Sequence, residues 1–223
     1  MNCKITDLFD LNETIAADLF EGASYPWEVL SKIKDYIVKL GESLDPAVYE
    51  KKGAHVWIAK NATVFPSAYI GDYVIIDEEA TVRHCAFIRE CAIVGRGATV
   101  GNSTELKNVV LFNKVEAPHY NYVGDSILGF HAHMGAGSIT SNIKADRKNI
   151  IIKSEDERIE TGLRKIGAML GDYAEIGCNA VLNPGTIVGA HSNVYPTTCA
   201  RGVIPAKHIL KNDGTLIAKN VED

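Results

Sequence analysis

Three histidines, His119, His131 and His133, fall within fifteen residues in the stretch "APHYNYVGDSILGFHAHMG". Imidazole is the side chain best suited to take a proton near neutral pH, and it is also a common zinc ligand. A base needs one accessible ring, whereas a metal site needs three ligands that converge. Strand alternation would send His131 and His133 to one side, so two ligands are conceivable. His119 or His84 would have to be the third, and no spacing places either one there. Upstream, Arg89 and Lys107 stand 18 residues apart. If the chain repeats in eighteens the two cations stack, and like charges so placed repel unless an anion bridges them. A guanidinium fork beside an ammonium point charge suits a phosphate.

The chain does count in sixes, a third of eighteen. From Ile58 every sixth residue is large and apolar: Val64, Ile70, Ile76, Val82, Ile88, Val94, Val100, Leu106 and Phe112. Two places before these stand Ala62, Ala68, Val74, Ala80, Ala86, Ala92, Ala98 and Thr104. A period of six matches neither a helix nor a simple half-buried strand. It matches a β-solenoid of hexapeptide repeats, three short arms to a coil, with the other positions turning or facing water. Arg89 and Lys107 each follow an inward residue, so coil stacking would set them about 4.8 Å apart on one face. The count slips where Pro118 takes an apolar slot, which turns His119 outward. The pattern returns as Leu170, Ile176, Leu182, Val188 and Val194. Between the blocks, residues 141–165 are heavily charged and read as an excursion loop, a kind of segment that is usually functional or disordered.

The expected organisation is a helical cap over residues 1–52, a coil over 53–205 and a tail over 206–223. "NETIAADLFEG" and "PWEVLSKIKDYIVKLG" read as two helices, the second opened by Pro26 and closed at Gly41. Its apolar stripe is Trp27, Leu30, Ile33, Ile37 and Leu40, and the cap is expected to cover the open end of the coil. A length of 223 residues allows a substantial core. A net charge of −5 with mixed signs gives no basic footprint for nucleic acid. No run of eighteen apolar residues is present to span a membrane, and the acidic start is unlike a secretory signal, so a cytoplasmic protein is expected. The five cysteines are scattered without a CxxC pair, which suggests neither a disulfide framework nor a thiolate metal cage.

"VEAPHYNYVGDSILGFHAHMGAGSITSN" and "GNSTELKN" resemble the acetyltransferase half of the bifunctional UDP-N-acetylglucosamine pyrophosphorylase/glucosamine-1-phosphate acetyltransferases. "TGLRKIGAMLGDYAEIG" is similar to the archaeal sugar-1-phosphate nucleotidylyltransferases that carry the same second domain. The resemblance covers about residues 58 to 205 and is strong over 101–142. It implies a mainly β protein, a left-handed parallel β-helix assembled as a homotrimer, and a part in UDP-N-acetylglucosamine biosynthesis. The implied activity is acetyl-CoA-dependent N-acetylation of a hexosamine 1-phosphate, glucosamine 1-phosphate first, with no metal required.

The resemblance also carries roles onto individual residues. His119 is the general base. Arg89, Glu105, Lys107, Tyr122, His133, Asn142 and Lys148 bind substrate, and Ala136 and Cys178 meet the cofactor, with the Gly135–Gly137 turn offering backbone N–H groups to the acetyl carbonyl. His133 replaces an asparagine common in the family and Ile143 a tyrosine, which bears on the identity of the sugar. The family's other half opens with a glycine-rich, basic phosphate-binding segment; nothing like it occurs here, so no pyrophosphorylase activity is expected. Two further readings stand beside the enzyme: a non-catalytic sugar-phosphate scaffold whose cap docks a separate nucleotidyltransferase, and a zinc coil like the hexapeptide carbonic anhydrases.

Overall fold

The computed structural model describes residues 3–153 and 157–219. Residues 154–156 of the expected excursion and 220–223 of the expected tail lie outside the described residues. The six-residue count folds into a left-handed parallel β-helix with three faces. Strands such as Tyr69–Ile76, Phe87–Val94, Glu105–Leu111 and Tyr122–Leu128 bend round a corner and serve two faces. The third face is built from shorter pieces, among them Thr81–Val82, Thr99–Asn102, Glu116–His119, His133–Met134 and Glu175–Ile176. Neighbouring coils pair in parallel throughout.

Corners are marked by left-handed backbone. Tyr73, Glu79, Cys85, Cys91, Gly97 and Ser103 all have positive φ at a spacing of six. Bulky residues seldom adopt that conformation, and here the ladders on both sides of each corner hold it in place. Small and large inward residues alternate as expected: Ala80, Ala92, Ala98, Val82, Ile88, Val94, Val100 and Leu106 are all fully buried.

The count slips earlier than Pro118. After Ser103 the next left-handed corner is Asn108, five residues on, and after Tyr120 it is Asp125, again five. Leu111, not Phe112, therefore stacks on Val94. Ala117, not Pro118, stacks on Val100. Phe112 turns outward and packs against Phe9 and Phe20.

The helical segment is more broken than expected. Ile5–Leu8 is one α-turn, Leu11–Glu13 and Ala17–Phe20 are 3-10 turns, and Pro26–Lys32 continues into the α-helix Ile33–Ser43. Gly41 does not stop this helix. It is buried against the Trp57 ring, where any Cβ would collide. The segment lies along the flank of the coil, against the strands Tyr69–Ile76, Phe87–Val94, Glu105–Leu111 and Tyr122–Leu128, instead of over its open end. The cause is one face whose outer ladder is apolar: Trp57, Ile75, Ile93, Val110 and Ile127 pair in succession and are nearly or wholly buried. Such a ladder needs cover, at roughly 25 cal/mol for each Å² withdrawn from water. The coil's first edge is instead paired by the antiparallel strand Tyr49–Lys51, and its last by Leu216–Ala218, which places much of the expected tail in the sheet. No helix among the described residues is long and apolar enough to cross a membrane.

Candidate functional site

The two five-residue arms lie on one face, and the polar residues gather there. Asp125, at the second short corner, is only 4% exposed. Its Oδ1 accepts from Lys107 Nζ at 3.0 Å and from Asn108 Nδ2 at 2.9 Å, and its Oδ2 accepts from Asn142 Nδ2 at 2.6 Å. Asn142 also reaches the Tyr122 hydroxyl at 3.2 Å. The Tyr122 ring lies along its arm over Gly124, where a Cβ would strike the phenol. Burial raises the Tyr122 pKa, and the charges of Asp125 and Glu105 add to the rise. Asp125 and Asn108 stand outside the expected site. Asp125 was legible as the last letter of the "HYNYVGD" stretch.

Arg89 and Lys107 do not stack. The register shifts between Ile88 and Glu90, so Glu90, not Arg89, faces Lys107. Each cation holds a carboxylate of its own: Arg89 lies 3.6 Å from Glu105, and Lys107 is tied to Asp125. The expected phosphate clamp is thus two separate ion pairs on one face. They are divided by the same one-residue loss that created the short arm.

His119 closes the strand Glu116–His119 just before the corner at Tyr120. It is exposed, and its ring has no hydrogen-bond partner among the described residues. Its carbonyl accepts from Gly137 N at 3.0 Å, and the Ala136 carbonyl accepts from Asn179 N at 2.9 Å. His119, Ala136 and Cys178 each stand directly before a left-handed corner residue, Tyr120, Gly137 and Asn179 respectively. They therefore form one column down successive coils. Of the glycine-rich turn, the N–H groups of Gly135 and Gly137 are spent on Ile176 and His119. The Ala136 N–H makes no hydrogen bond among the described residues.

Beside that column runs a groove of about 270 Å³ lined by His133, Glu175, Cys178, Tyr195 and Pro196. His133 Nδ1 lies 2.9 Å from Glu175 Oε2. His131 occupies a corner and stacks on Tyr173, and His84 bonds Ser67 at 2.9 Å. The corner ends the alternation that would have put His131 and His133 on one side. Among the described residues no group of three or more His, Cys, Asp or Glu side chains is placed to hold a metal ion. Lys148 is exposed and bends back through its N–H to Asp146, while its neighbour Arg147 turns into a separate cleft.

No family model matches the chain. It is 30% identical over 131 residues to a bifunctional sugar-1-phosphate nucleotidylyltransferase/acetyltransferase of Sulfurisphaera tokodaii, a match covering 59% of this chain and 28% of that one. It is 28% identical over 198 residues to the bifunctional protein GlmU of Methanococcus maripaludis, covering 87% of this chain and 48% of the relative. The chain thus spans less than half the length of these curated relatives. A solved structure of the polySia-specific acetyltransferase NeuO is 13% identical with a TM-score of 0.43, covering 72% of this chain and 81% of that one.

Proposed function

We propose that the protein transfers the acetyl group of acetyl-CoA to the amine of a hexosamine 1-phosphate, glucosamine 1-phosphate being the first candidate. The observation that carries this reading is the corner column, in which an exposed imidazole with no partner of its own heads a line through Ala136 and Cys178. His119 takes the proton of the sugar ammonium. The freed amine nitrogen attacks the thioester carbonyl carbon, the C–S bond breaks, the CoA sulfur leaves with a proton returned from the imidazole, and the new amide nitrogen gives up its second proton to water. The Ala136 N–H is free to donate to the developing oxyanion. Cys178 and the groove beside it border the cofactor's arm. Tyr122, Asn142 and Lys107 face the sugar, with Asp125 holding two of them in place. Glu105 and Arg89, paired to each other, line the outer edge. His133, expected among the substrate residues, is held by Glu175 in the groove with Cys178 and so takes the cofactor side, and Lys148 remains on the excursion for an anionic group. Trimer assembly, as the resemblance implies, would close these outward faces against a second copy.

Release of free CoA from acetyl-CoA and glucosamine 1-phosphate tests the reading. Wild type is expected to release CoA, and His119→Ala to lose about 10²–10⁴-fold in kcat, the worth of a positioned acid–base group. Equal rates remove His119 from the mechanism. No release with any hexosamine phosphate leaves the scaffold reading, and activity that chelators abolish and zinc restores would favour the metal coil.

A further inference from the structure

A second cavity, larger than the groove beside Cys178, shares only its Asp125 floor with that mechanism. It holds about 540 Å³, within the roughly 300–1,000 Å³ of small-molecule sites. Its floor is the short-arm corner column, Asn108 and Asp125. One wall is the helical segment at Leu30 and Ser31, and the other is the excursion, which contributes Ile143, Leu163 and three cations, Arg147, Arg164 and Lys165. None of these cations makes an ion pair or a side-chain hydrogen bond among the described residues. Asp125, the carboxylate of the lining, is already spent on Lys107, Asn108 and Asn142. A chain of net charge −5 therefore concentrates three uncompensated positive charges in one concave place, where low-dielectric walls focus their field.

We infer that this cleft binds a nucleoside diphosphate. Guanidinium forks match phosphate oxygens, and three cations balance more charge than a single phosphate carries. The volume leaves room beyond the phosphates, and Ile143, with part of Leu163, offers apolar surface to a flat base. The place is also set apart from the imidazole. His119 precedes one corner and Asp125 forms the next, so an arm of roughly 15 Å at 3.3 Å per residue divides them. The sugar that meets Tyr122, Asn142 and Lys107 spans that arm, and the cleft cations lie beyond its Asp125 end, on the excursion. The ligand is then a free nucleotide or the nucleotide end of a diphosphate-linked amino sugar. The cleft supports this inference by itself, whatever becomes of the acetyl-transfer reading.

Calorimetric titration of the full chain with uridine and guanosine diphosphates, with uridine, guanosine and inorganic phosphate as controls, tests it. At least one diphosphate is expected to bind ten-fold or more tightly than any control. Arg147→Ala and Arg164→Ala should each weaken it about ten-fold at unchanged thermal midpoint, Arg164→Lys should recover part of the loss, and His119→Ala should leave it unchanged. Binding no tighter than that of inorganic phosphate, or indifferent to both arginines, overturns the proposal. The source is read separately. If a diphosphate-linked amino sugar drives CoA release and Arg164→Ala raises its KM at constant kcat, the cleft holds the acceptor's nucleotide end. If nucleotide binds but no such sugar is acetylated, the ligand is the free nucleotide.

Discussion

Removing either partner of the Lys107–Asp125 pair asks whether the cluster on the short arms works as one unit. Asp125→Ala takes away the acceptor for three donors at 3.0, 2.9 and 2.6 Å and leaves the Lys107 ammonium, whose side chain is 19% exposed, without a counter-charge. Breaking a buried pair from one side costs about 3–5 kcal/mol. Lys107→Met is milder, because Asn108 and Asn142 still donate to the carboxylate; losing one hydrogen bond to a charged group costs about 1.5–3 kcal/mol. Independent effects would sum in the double variant. Here the second substitution removes the orphaned charge that the first created, so Lys107→Met/Asp125→Ala should be no less stable than Asp125→Ala alone, a coupling of at least about 1.5 kcal/mol. Equilibrium urea unfolding followed by the fluorescence of Trp27 and Trp57 measures the four species, with equal m-values required for the comparison. Additive costs would refute the reasoning, because they would mean that Lys107 and Asp125 do not see each other.

Gly41→Ala raises intrinsic helix propensity by about 1 kcal/mol, yet its new methyl must enter the Trp57 ring. Overpacking of about 1–3 kcal/mol should win, and a urea midpoint at or above wild type would show that the ring moves freely aside. Asp172 accepts from the N–H groups of Asp10 and Phe130 at 2.7 and 2.8 Å and clips the start of the chain to the coil. Burial pushes its pKa from the ordinary 3.8 up to about 6, with Asp10 and Glu13 adding to the rise. A raised folded-state value favours the protonated form on folding. The contribution is therefore full below about 3.8 and is lost as pH rises through about 6. Between pH 7.5 and 5 the wild type should gain urea resistance relative to Asp172→Asn, and parallel curves would contradict this.

The coil was legible because its period is a packing constraint that every inward position must meet, and Val82, Ile88, Val94, Val100 and Leu106 all meet it. The flank was misplaced for a related reason. A six-residue count reports what faces the axis and is silent about the outer positions. Trp57, Ile75, Ile93, Val110 and Ile127 were nevertheless in view as an eighteen-residue outer series, shortened to seventeen where the arms lose a residue, and they called for cover on one side. Within the candidate site, His119 was picked out by the resemblance its sequence neighbours carry, while Ala136 and Cys178, its companions in the column, stand far along the chain. Arg147, Arg164 and Lys165 were not, because they meet only when an excursion of some twenty-five residues returns to the coil. Its base is fixed by Ile143 pairing with Lys165 and by Ile166 N donating to the Asn142 carbonyl at 3.1 Å.

The same arithmetic that defeated the Arg89–Lys107 stack explains why the polar cluster exists. On a regular eighteen-residue coil, outward side chains repeat in columns and each meets its own kind, as Thr63, Thr81 and Thr99 do on the third face. Dropping one residue from an arm slides everything after it by one position against the coil before. Glu90 then faces Lys107, the corners move to Asn108 and Asp125, and unlike groups come into register. Repeating the loss in the next coil keeps the strand Tyr122–Leu128 aligned with Glu105–Leu111, so the new neighbours persist for two coils instead of one. A regular solenoid supplies rigidity and no asymmetry. Two deletions on one face supply the asymmetry at the cost of one corner column, and it is on that column that the excursion and the helical segment converge.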